Sequence, residues 1–314
     1  MVTVILFSMD KILIVGRSCF VEEWLIDRLI EKGYCVKVLS KKYPDVYYDD
    51  FTFIEGSPLD EKSLGEALRD IDQIIFFPMY WNVFERSYEK EFNTNVLSCL
   101  SLISRACKQG ISRIVFVSSC DVYGSPTELP VHERTITIPR TPHAAALLSM
   151  ESLIMSLSFH DINWIVLRIF DVYGPKQDSN WLLNMCNIFK NALLKGIVEL
   201  PGTENTFRDL IYIEDLVDIL LGIIDNYVNN LVINVASGEP IPLNSLVEMI
   251  TGLVGRSIDA SYRHELSWFI PSIYAETRVL RDIFPRFPKY SIKEGFLRTF
   301  KWVRSVIDSK SFLS

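Results

Sequence analysis

Residues 11–25 read KILIVGRSCFVEEWL, and this stretch decides the fold. Residues 12–15 form a short apolar run, which predicts a buried β-strand. Residues 21–32 carry apolar side chains at helical spacing with charges between them, and the glycine at position 33 is a natural helix stop. Gly16 stands between the strand and the helix. We therefore expect this stretch to form the first unit of an α/β fold.

The same pattern continues as short apolar runs that alternate with amphipathic stretches. The predicted strands are residues 12–15, 35–39, 52–54, 72–77, 114–118, 164–167 and 232–235. The predicted helices are residues 21–32, 59–68, 88–109, 142–159, 182–194, 216–225, 243–253 and 292–307. Strands that are apolar throughout and separated by helices predict a parallel sheet covered on both faces. Such a sheet binds its ligands beyond the carboxyl ends of the strands.

Composition and charge exclude several classes of protein. Of the 314 residues, 49% are hydrophobic and 23% are charged, which is ordinary for a globular protein with a large core. The net charge of −7 argues against a nucleic-acid binder. Residues 1–9 are apolar but too few to span a membrane, and we interpret them as a loose extension ahead of the first strand. We expect no membrane span.

The cysteines indicate a compartment rather than a site. The chain has six cysteines and four histidines. The cysteines form no C-x-x-C pair, and none lies near a histidine at the spacing of a zinc site. We therefore expect reduced thiols in a cytoplasmic protein and no metal site.

Several segments resemble the NAD(P)-dependent epimerase/dehydratase family, the extended short-chain dehydrogenases. They are KILIVGRSCFVEEWL (11–25), the stretch that ends in SRIVFVSS (92–119), CDVYG (120–124), LRIFDVYGP (167–175), TFRDLIYIEDL (206–216), NVASGEPIPLNSL (234–246) and SIKEGFLRTFKW (291–302). The resemblance implies an α/β fold with a Rossmann-like doubly wound parallel sheet in residues 9–172. A smaller mixed α/β region, residues 173–310, would bind the substrate and return a strand to the main sheet.

The resemblance also implies ligands and an assembly. The ligand would be a small molecule of the sugar-nucleotide class. The assembly would be a homodimer, formed by the two long helices at residues 88–109 and 142–159. The second of these helices is rich in alanine, leucine and methionine, which suits a buried interface and equally suits ordinary core packing.

The cofactor implied by the resemblance is NAD or NADP. The residues it would contact are Gly16, Arg17, Phe20, Val21, Ser40, Lys41 and Asp60. A dinucleotide site uses three glycines, for a tight turn, for close approach of the pyrophosphate and for packing of the helix on the strand. Gly16 is the glycine that remains, because Cys19 and Glu22 take the other two positions. The Glu22 carboxylate repels a pyrophosphate and could itself mimic the missing anion.

The other cofactor positions have changed as well. Ser40 stands where the family carries an acidic residue for the adenosine ribose, and Lys41 follows it. With Arg17, this pattern favours the ribose phosphate of NADP; it is equally typical of a solvated basic turn. Pro78 and Met79 replace the small residues that follow the fourth strand. Together these changes argue against ordinary NAD binding.

The catalytic residues of the family are a serine, a tyrosine and a lysine. Ser119 matches the serine, whereas His143 takes the place of the tyrosine and Leu147 that of the lysine. Leucine can neither hold a ribose nor lower the pKa of a neighbour. His143 could shuttle a proton with Ser119, since histidine titrates near neutral pH. The interpretation we favour is that His143 fills the space left by the tyrosine.

On the substrate side, Arg208 stands where sugar-nucleotide members bind the diphosphate with an arginine. A planar guanidinium suits such bidentate recognition, and a structural pair between the arginine and an aspartate is the alternative. Asp209 is expected to orient this segment. Asp171 replaces an asparagine of the relatives, and its carboxylate repels a diphosphate unless Lys176 or another cation compensates.

Three functions follow from these residues. The first is a pseudoenzyme that keeps the fold as a binding or partner subunit. The second is a redox-neutral acid/base enzyme that uses His143 and Ser119. The third is an active NADP-dependent epimerase, dehydratase or reductase with altered residues. The simultaneous changes at the glycine turn, the tyrosine and the lysine favour the first.

Overall fold

The computed structural model describes residues 10–80, 87–177, 183–226, 228–264 and 272–311. Its strands are β1 (Lys11–Val15), β2 (Cys35–Ser40), β3 (Thr52–Glu55), β4 (Gln73–Phe76), β5 (Arg113–Ser119), β6 (Asn163–Ile169), β7 (Asp171–Tyr173), β8 (Ile197–Pro201), β9 (Phe207–Tyr212), β10 (Leu231–Val235), β11 (Pro240–Pro242) and β12 (Asp259–Arg263). Its α-helices are α1 (Phe20–Glu31), α2 (Glu61–Ala67), α3 (Tyr88–Glu91), α4 (Leu97–Gln109), α5 (Pro142–Met155), α6 (Met185–Lys195), α7 (Ile213–Asp225), α8 (Leu243–Val254), α9 (Arg278–Ile283) and α10 (Ile292–Ser311).

Seven strands form one parallel sheet in the order β10-β6-β5-β4-β1-β2-β3. This confirms the doubly wound parallel sheet expected from the sequence. β10 comes from the second half of the chain and pairs with β6, so a strand does return to the main sheet. The boundary between regions near residue 172 stays a prediction.

Successive side chains of the sheet strands pack alternately into two apolar layers, one on each face of the sheet. In β1, Ile12 and Ile14 face the layer that contains α1 and α7, whereas Leu13 and Val15 face the layer that contains α2, α4 and α5. All four residues are completely buried. Because both faces of the sheet are covered, its strands are apolar throughout, as the sequence indicated.

Two predicted helices differ from the observed ones. The helix expected at residues 88–109 is interrupted, since a π-helical turn at Phe92–Val96 lies between α3 and α4. Such turns occur often at functional sites. The helix expected at residues 142–159 ends at Met155, and a 3₁₀ turn, Ser156–His160, follows it.

The second half adds two small sheets that the sequence did not predict. β7 and β11 flank β9 in one sheet, and β12 pairs with β8 in the other. Their strands are three to six residues long, too short to show a reliable period. The predicted helix at 182–194 is observed from Met185, and position 182 lies outside the described residues, as does the expected extension at 1–9.

Two further observations concern membrane-length helices and the cysteines. Among the described residues, no helix combines the length and the apolar character that a membrane crossing requires. All six cysteines are described, and all are free thiols.

Candidate functional site

The candidate site lies at the carboxyl ends of the central strands. β2 and β3 extend the sheet on one side of β1, and β4, β5 and β6 extend it on the other. The strand order therefore reverses between β1 and β4, which is where open parallel sheets bind ligands. Gly16, Phe77 and Ser119 stand at this edge, directly after or at the ends of β1, β4 and β5.

The turn between β1 and α1 closes around the carboxylate of Glu22. The backbone N–H groups of Arg17, Ser18 and Cys19 donate to this carboxylate at N···O distances of 3.2, 2.5 and 3.3 Å. The Cys19 thiol lies 3.7 Å from the same group. Glu22 is 1% exposed. A carboxyl group is thus held at the N-terminus of α1, where the helix dipole favours its ionised form.

The environment of Glu22 shifts its ionisation. Burial raises the pKa of this carboxyl to about 7, although the charge of Arg17 and the three backbone N–H groups act in the opposite direction. Desolvation therefore outweighs the favourable contacts.

Gly16 is needed at this turn because of Glu22. A Cβ atom on residue 16 would overlap the Glu22 carboxylate. The glycine that survives from the cofactor motif therefore makes room for a side chain of the chain itself.

Ser18 and Ser40 complete the closed turn. Ser18 adopts a left-handed backbone conformation, with φ at 59°, which is uncommon for a residue other than glycine. Its Oγ atom lies 2.7 Å from the carbonyl oxygen of Lys42 and 3.0 Å from Oγ of Ser40. Ser40 is completely buried. The position expected to bind the adenosine ribose is therefore engaged with the turn.

The space left beside the turn is small. A cavity of about 20 Å³ is lined by Arg17, Cys19, Val21, Glu22, Phe77, Pro78, Val117 and Ile169. This volume holds about one water molecule.

Among the other residues expected to contact the cofactor, two are buried in the core, one is exposed and one caps a helix. Phe20 and Val21 are each 1% exposed and pack in the apolar layer of α1. Lys41 is exposed. Asp60 is the N-cap of α2, where its carboxylate accepts the backbone N–H of Ser63 at 2.8 Å. Hydrogen bonding from Ser63, first through its side chain and then through its backbone N–H, lowers the pKa of Asp60.

Ser119 and His143 contact different partners. The Ser119 hydroxyl accepts the backbone N–H of Asp121 at 3.1 Å and caps the 3₁₀ turn that follows β5. His143 is completely buried in the first turn of α5, and its Nδ1 atom lies 3.2 Å from Oε2 of Glu91. The same carboxylate accepts the side-chain amide of Asn95 at 2.8 Å. These contacts support the interpretation that His143 fills interior space.

Leu147 lies one helical turn after His143 and is completely buried. It belongs to the apolar layer formed by α2, α4 and α5. A leucine here contributes to the core.

Arg208 and Asp171 form a buried bidentate pair across the adjacent strands β7 and β9. Nε and Nη2 of Arg208 donate to the two carboxylate oxygens of Asp171 at 2.5 and 2.8 Å. The cation that compensates Asp171 is therefore Arg208 itself. Lys176 instead lies over the Tyr47 ring, 4.2 Å from its centroid.

Asp209 holds three segments together, as its sequence context indicated. Its carboxylate accepts the backbone N–H groups of Ser237, Gly238 and Ala275 and the Ser237 hydroxyl, at distances of 2.7 to 3.2 Å. The structural pair that Arg208 forms is with Asp171.

A buried polar network beneath the site was missed by the sequence analysis. Arg168 on β6 forms a bidentate pair with Glu151 on α5, whose closest contact is 2.7 Å. Ser118 donates to Glu151 at 2.6 Å, and Arg168 donates to the Tyr123 hydroxyl at 3.1 Å. The available signal was a single arginine inside an apolar strand, which needs a buried partner.

Glu91 was missed as well. It lies in the predicted helix at residues 88–109 and looks like an ordinary surface carboxylate there. The π-helical turn that begins at Phe92 and the packing of α3 on α5 bury Glu91 completely beside His143.

Comparison with known proteins decides the relationship. The profile of the NAD dependent epimerase/dehydratase family matches residues 12–236. The chain belongs to this family.

Relatives within the family cover nearly the whole chain. A putative UDP-glucose 4-epimerase of Methanocaldococcus jannaschii is 27% identical over 304 residues, which is 94% of this chain and 98% of that protein. The UDP-glucose 4-epimerase of Thermotoga maritima with UDP-glucose superposes with a TM-score of 0.86 at 24% identity, covering 95% and 99% of the two chains. The Thermus thermophilus enzyme in complex with NAD gives 0.82 at 20% identity, covering 94% and 99%.

Within this epimerase/dehydratase family, the chain keeps the fold, and the residues singled out in its sequence have the following environments. Ser119 keeps the serine of the motif, whereas the histidine and the leucine at positions 143 and 147 are buried. The glycine turn is occupied by the carboxylate of Glu22, and Arg208 is paired with Asp171. The glycine turn and Arg208 are thus engaged by carboxylates of the chain itself.

Proposed function

We propose that this member of the epimerase/dehydratase family is a pseudoenzyme: a binding or partner subunit that does not transfer hydride. The observation that carries the proposal is Leu147, which takes the position of the family's lysine and is completely buried in the core. A hydrocarbon side chain supplies no charge to a cofactor ribose or to an acid/base group.

The environment of His143 supports the same conclusion. Its imidazole lies in the interior, in contact with Glu91, and is 0% exposed. A general acid must come within hydrogen-bond reach of the proton it transfers. A side chain held in the core by a buried carboxylate is poorly placed for that reach.

Calorimetric titration and a turnover assay test the proposal. We expect no binding of NAD, NADH, NADP or NADPH up to millimolar concentration, and no conversion of UDP-glucose in their presence. The Thermotoga maritima UDP-glucose 4-epimerase, assayed in parallel, is the positive control. Micromolar cofactor binding with turnover would overturn the proposal and would favour an active, NADP-type enzyme.

A second candidate is a redox-neutral acid/base enzyme built on His143 and Ser119. The observation in its favour is the contact between His143 and Glu91, because a catalytic base is commonly oriented by a third group. Incubation with UDP-glucose in D₂O, followed by NMR, detects any exchange of sugar protons. Exchange that is lost in His143→Ala, with the fold retained, would establish this candidate; we expect no exchange.

The ligand of the proposed subunit would be a sugar nucleotide, since the relatives act on or bind UDP-sugars. This ligand would have to bind without a free arginine at position 208, or displace Asp171 from it. Thermal shift with UDP-glucose and UDP measures such binding. A shift that grows in Asp171→Asn would support Arg208 as a diphosphate contact.

We also propose a homodimer formed by α4 and α5, in the cytoplasm. The two helices pack together and leave apolar side chains exposed, with Leu100 at 45% and Met155 at 41%. Free thiols on all six cysteines suit a reducing compartment. Light scattering should show a dimer that Leu100→Glu converts to a monomer. Leu194→Glu, which alters an equally exposed leucine on α6, is the matched control and should leave the mass unchanged.

A further inference from the structure

The glycine turn of this protein is complete without a ligand. We propose that the Glu22 carboxylate is a built-in anion, which occupies the phosphate-binding position at the N-terminus of α1 and keeps the turn closed to phosphate-bearing ligands. The inference rests on the proposed function and deepens it, because it names the group of the chain, the Glu22 carboxylate, that would take the place of the dinucleotide phosphate.

The hydrogen-bond donors of the turn are already taken by Glu22. The N-terminus of a helix attracts anions because its first N–H groups lack partners within the helix. Here the N–H groups of Arg17, Ser18 and Cys19 all donate to Glu22. A phosphate would have to displace the Glu22 carboxylate from the same donors. The carboxylate is attached to the chain, so it loses no translational freedom on binding, whereas a free phosphate does.

The backbone shape of the turn also fits the Glu22 carboxylate. Gly16 has no room for a Cβ atom because the carboxylate lies in that space. Ser18 holds its left-handed conformation while its side chain contacts Ser40 and the Lys42 carbonyl. The conformational cost of such a residue persists only where its surroundings hold it. The turn is therefore shaped around the carboxylate.

Glu23 shows that burial on the same helix does not by itself create this arrangement. It is 7% exposed, next in sequence, and its carboxylate accepts the backbone N–H of Asp45 at 2.9 Å. That contact anchors the loop after β2. Removing Glu23 therefore deletes a buried carboxylate of α1 without emptying the turn.

The experiment compares Glu22→Ala with Glu23→Ala and the wild type by thermal unfolding at pH 8.5. Inorganic pyrophosphate is added to 10 mM against sodium chloride of equal ionic strength. We expect Glu22→Ala to unfold at a lower temperature and to recover by roughly 3 °C with pyrophosphate, as for a site with millimolar affinity. The wild type and Glu23→Ala should respond to pyrophosphate no more than to chloride. An equal response of all three proteins would overturn the inference.

A measurement on the wild type keeps the inference testable if Glu22→Ala fails to fold. Amide hydrogen exchange of Arg17, Ser18 and Cys19 should be slow without any ligand and unchanged by 10 mM pyrophosphate. Fast exchange that pyrophosphate slows would mean that the donors are available, and the inference would be wrong. The two proposals fail separately, because turnover tests the reaction and these readouts test the turn.

Discussion

Replacing Glu22 with glutamine should remove a pH dependence of stability. Burial raises the pKa of this carboxyl to about 7 in the folded protein, from 4.5 as its ordinary value. The folded state therefore binds the proton more tightly than the unfolded state does. It follows that the stability from this group is fully present below about pH 4.5 and is lost as the pH rises through 7.

The size of the loss follows from the two values. A difference of 2.5 between 7 and 4.5, at about 1.4 kcal/mol for each pKa unit, gives roughly 3 kcal/mol. The groups that face the carboxylate are the charge of Arg17, the Cys19 thiol and the three backbone N–H groups. Glutamine keeps one acceptor oxygen and a similar shape but does not titrate.

Urea denaturation at constant ionic strength, from pH 4 to pH 8.5, measures the effect. The free energy of unfolding of the wild type minus that of Glu22→Gln should fall by about 3 kcal/mol across this range. Glu61→Gln is the control, since that side chain is 91% exposed and forms a surface ion pair with Arg105, which contributes little to stability. A difference curve for Glu22→Gln as flat as the control would refute the reasoning.

Three further predictions test the packing of the protein. Glu151→Ala leaves Arg168 buried without its carboxylate and should cost about 3–5 kcal/mol in urea denaturation, whereas a loss below about 1 kcal/mol would mean that water replaces the pair. Leu147→Lys buries an ammonium in an apolar layer, so the protein should unfold at a lower temperature and gain no NADH oxidation. A stable variant that oxidises NADH would contradict the interpretation that position 147 belongs to the core. In Gly222→Ala the added methyl group meets the Phe284 ring and should lower the free energy of unfolding by about 1–3 kcal/mol. In Gly252→Ala it meets open space and should raise the free energy of unfolding by up to about 1 kcal/mol. Equal effects of the two changes would show that the ring moves aside.

Periodicity predicted the central sheet well and the second half less well. Strands such as β5 are apolar and follow a helix that ends at a glycine, so local pattern identified them. β7 and β11 have three residues each and form only because they pair with β9. The interruption of the helix at Phe92–Val96 carries no sequence signal of the kind that glycine or proline supplies.

The sequence by itself determined the α/β class, the order of its elements, the family and the changes at Cys19, Glu22 and Leu147. These are properties of residue type and spacing, which need no knowledge of distant contacts. It also raised the possibility that a carboxylate takes the place of an anion, because Glu22 falls at the N-terminus of the predicted helix.

The tertiary structure alone decided what each changed residue contacts. The pair of Arg208 and Asp171 joins residues 37 positions apart, and His143 meets Glu91 across 52 positions. A charged side chain in a core is stabilised by the partner that folding brings to it, and sequence spacing does not specify that partner. For the same reason, only the folded chain shows that Glu22, Ser40 and Arg208 are each hydrogen-bonded to other groups of the chain.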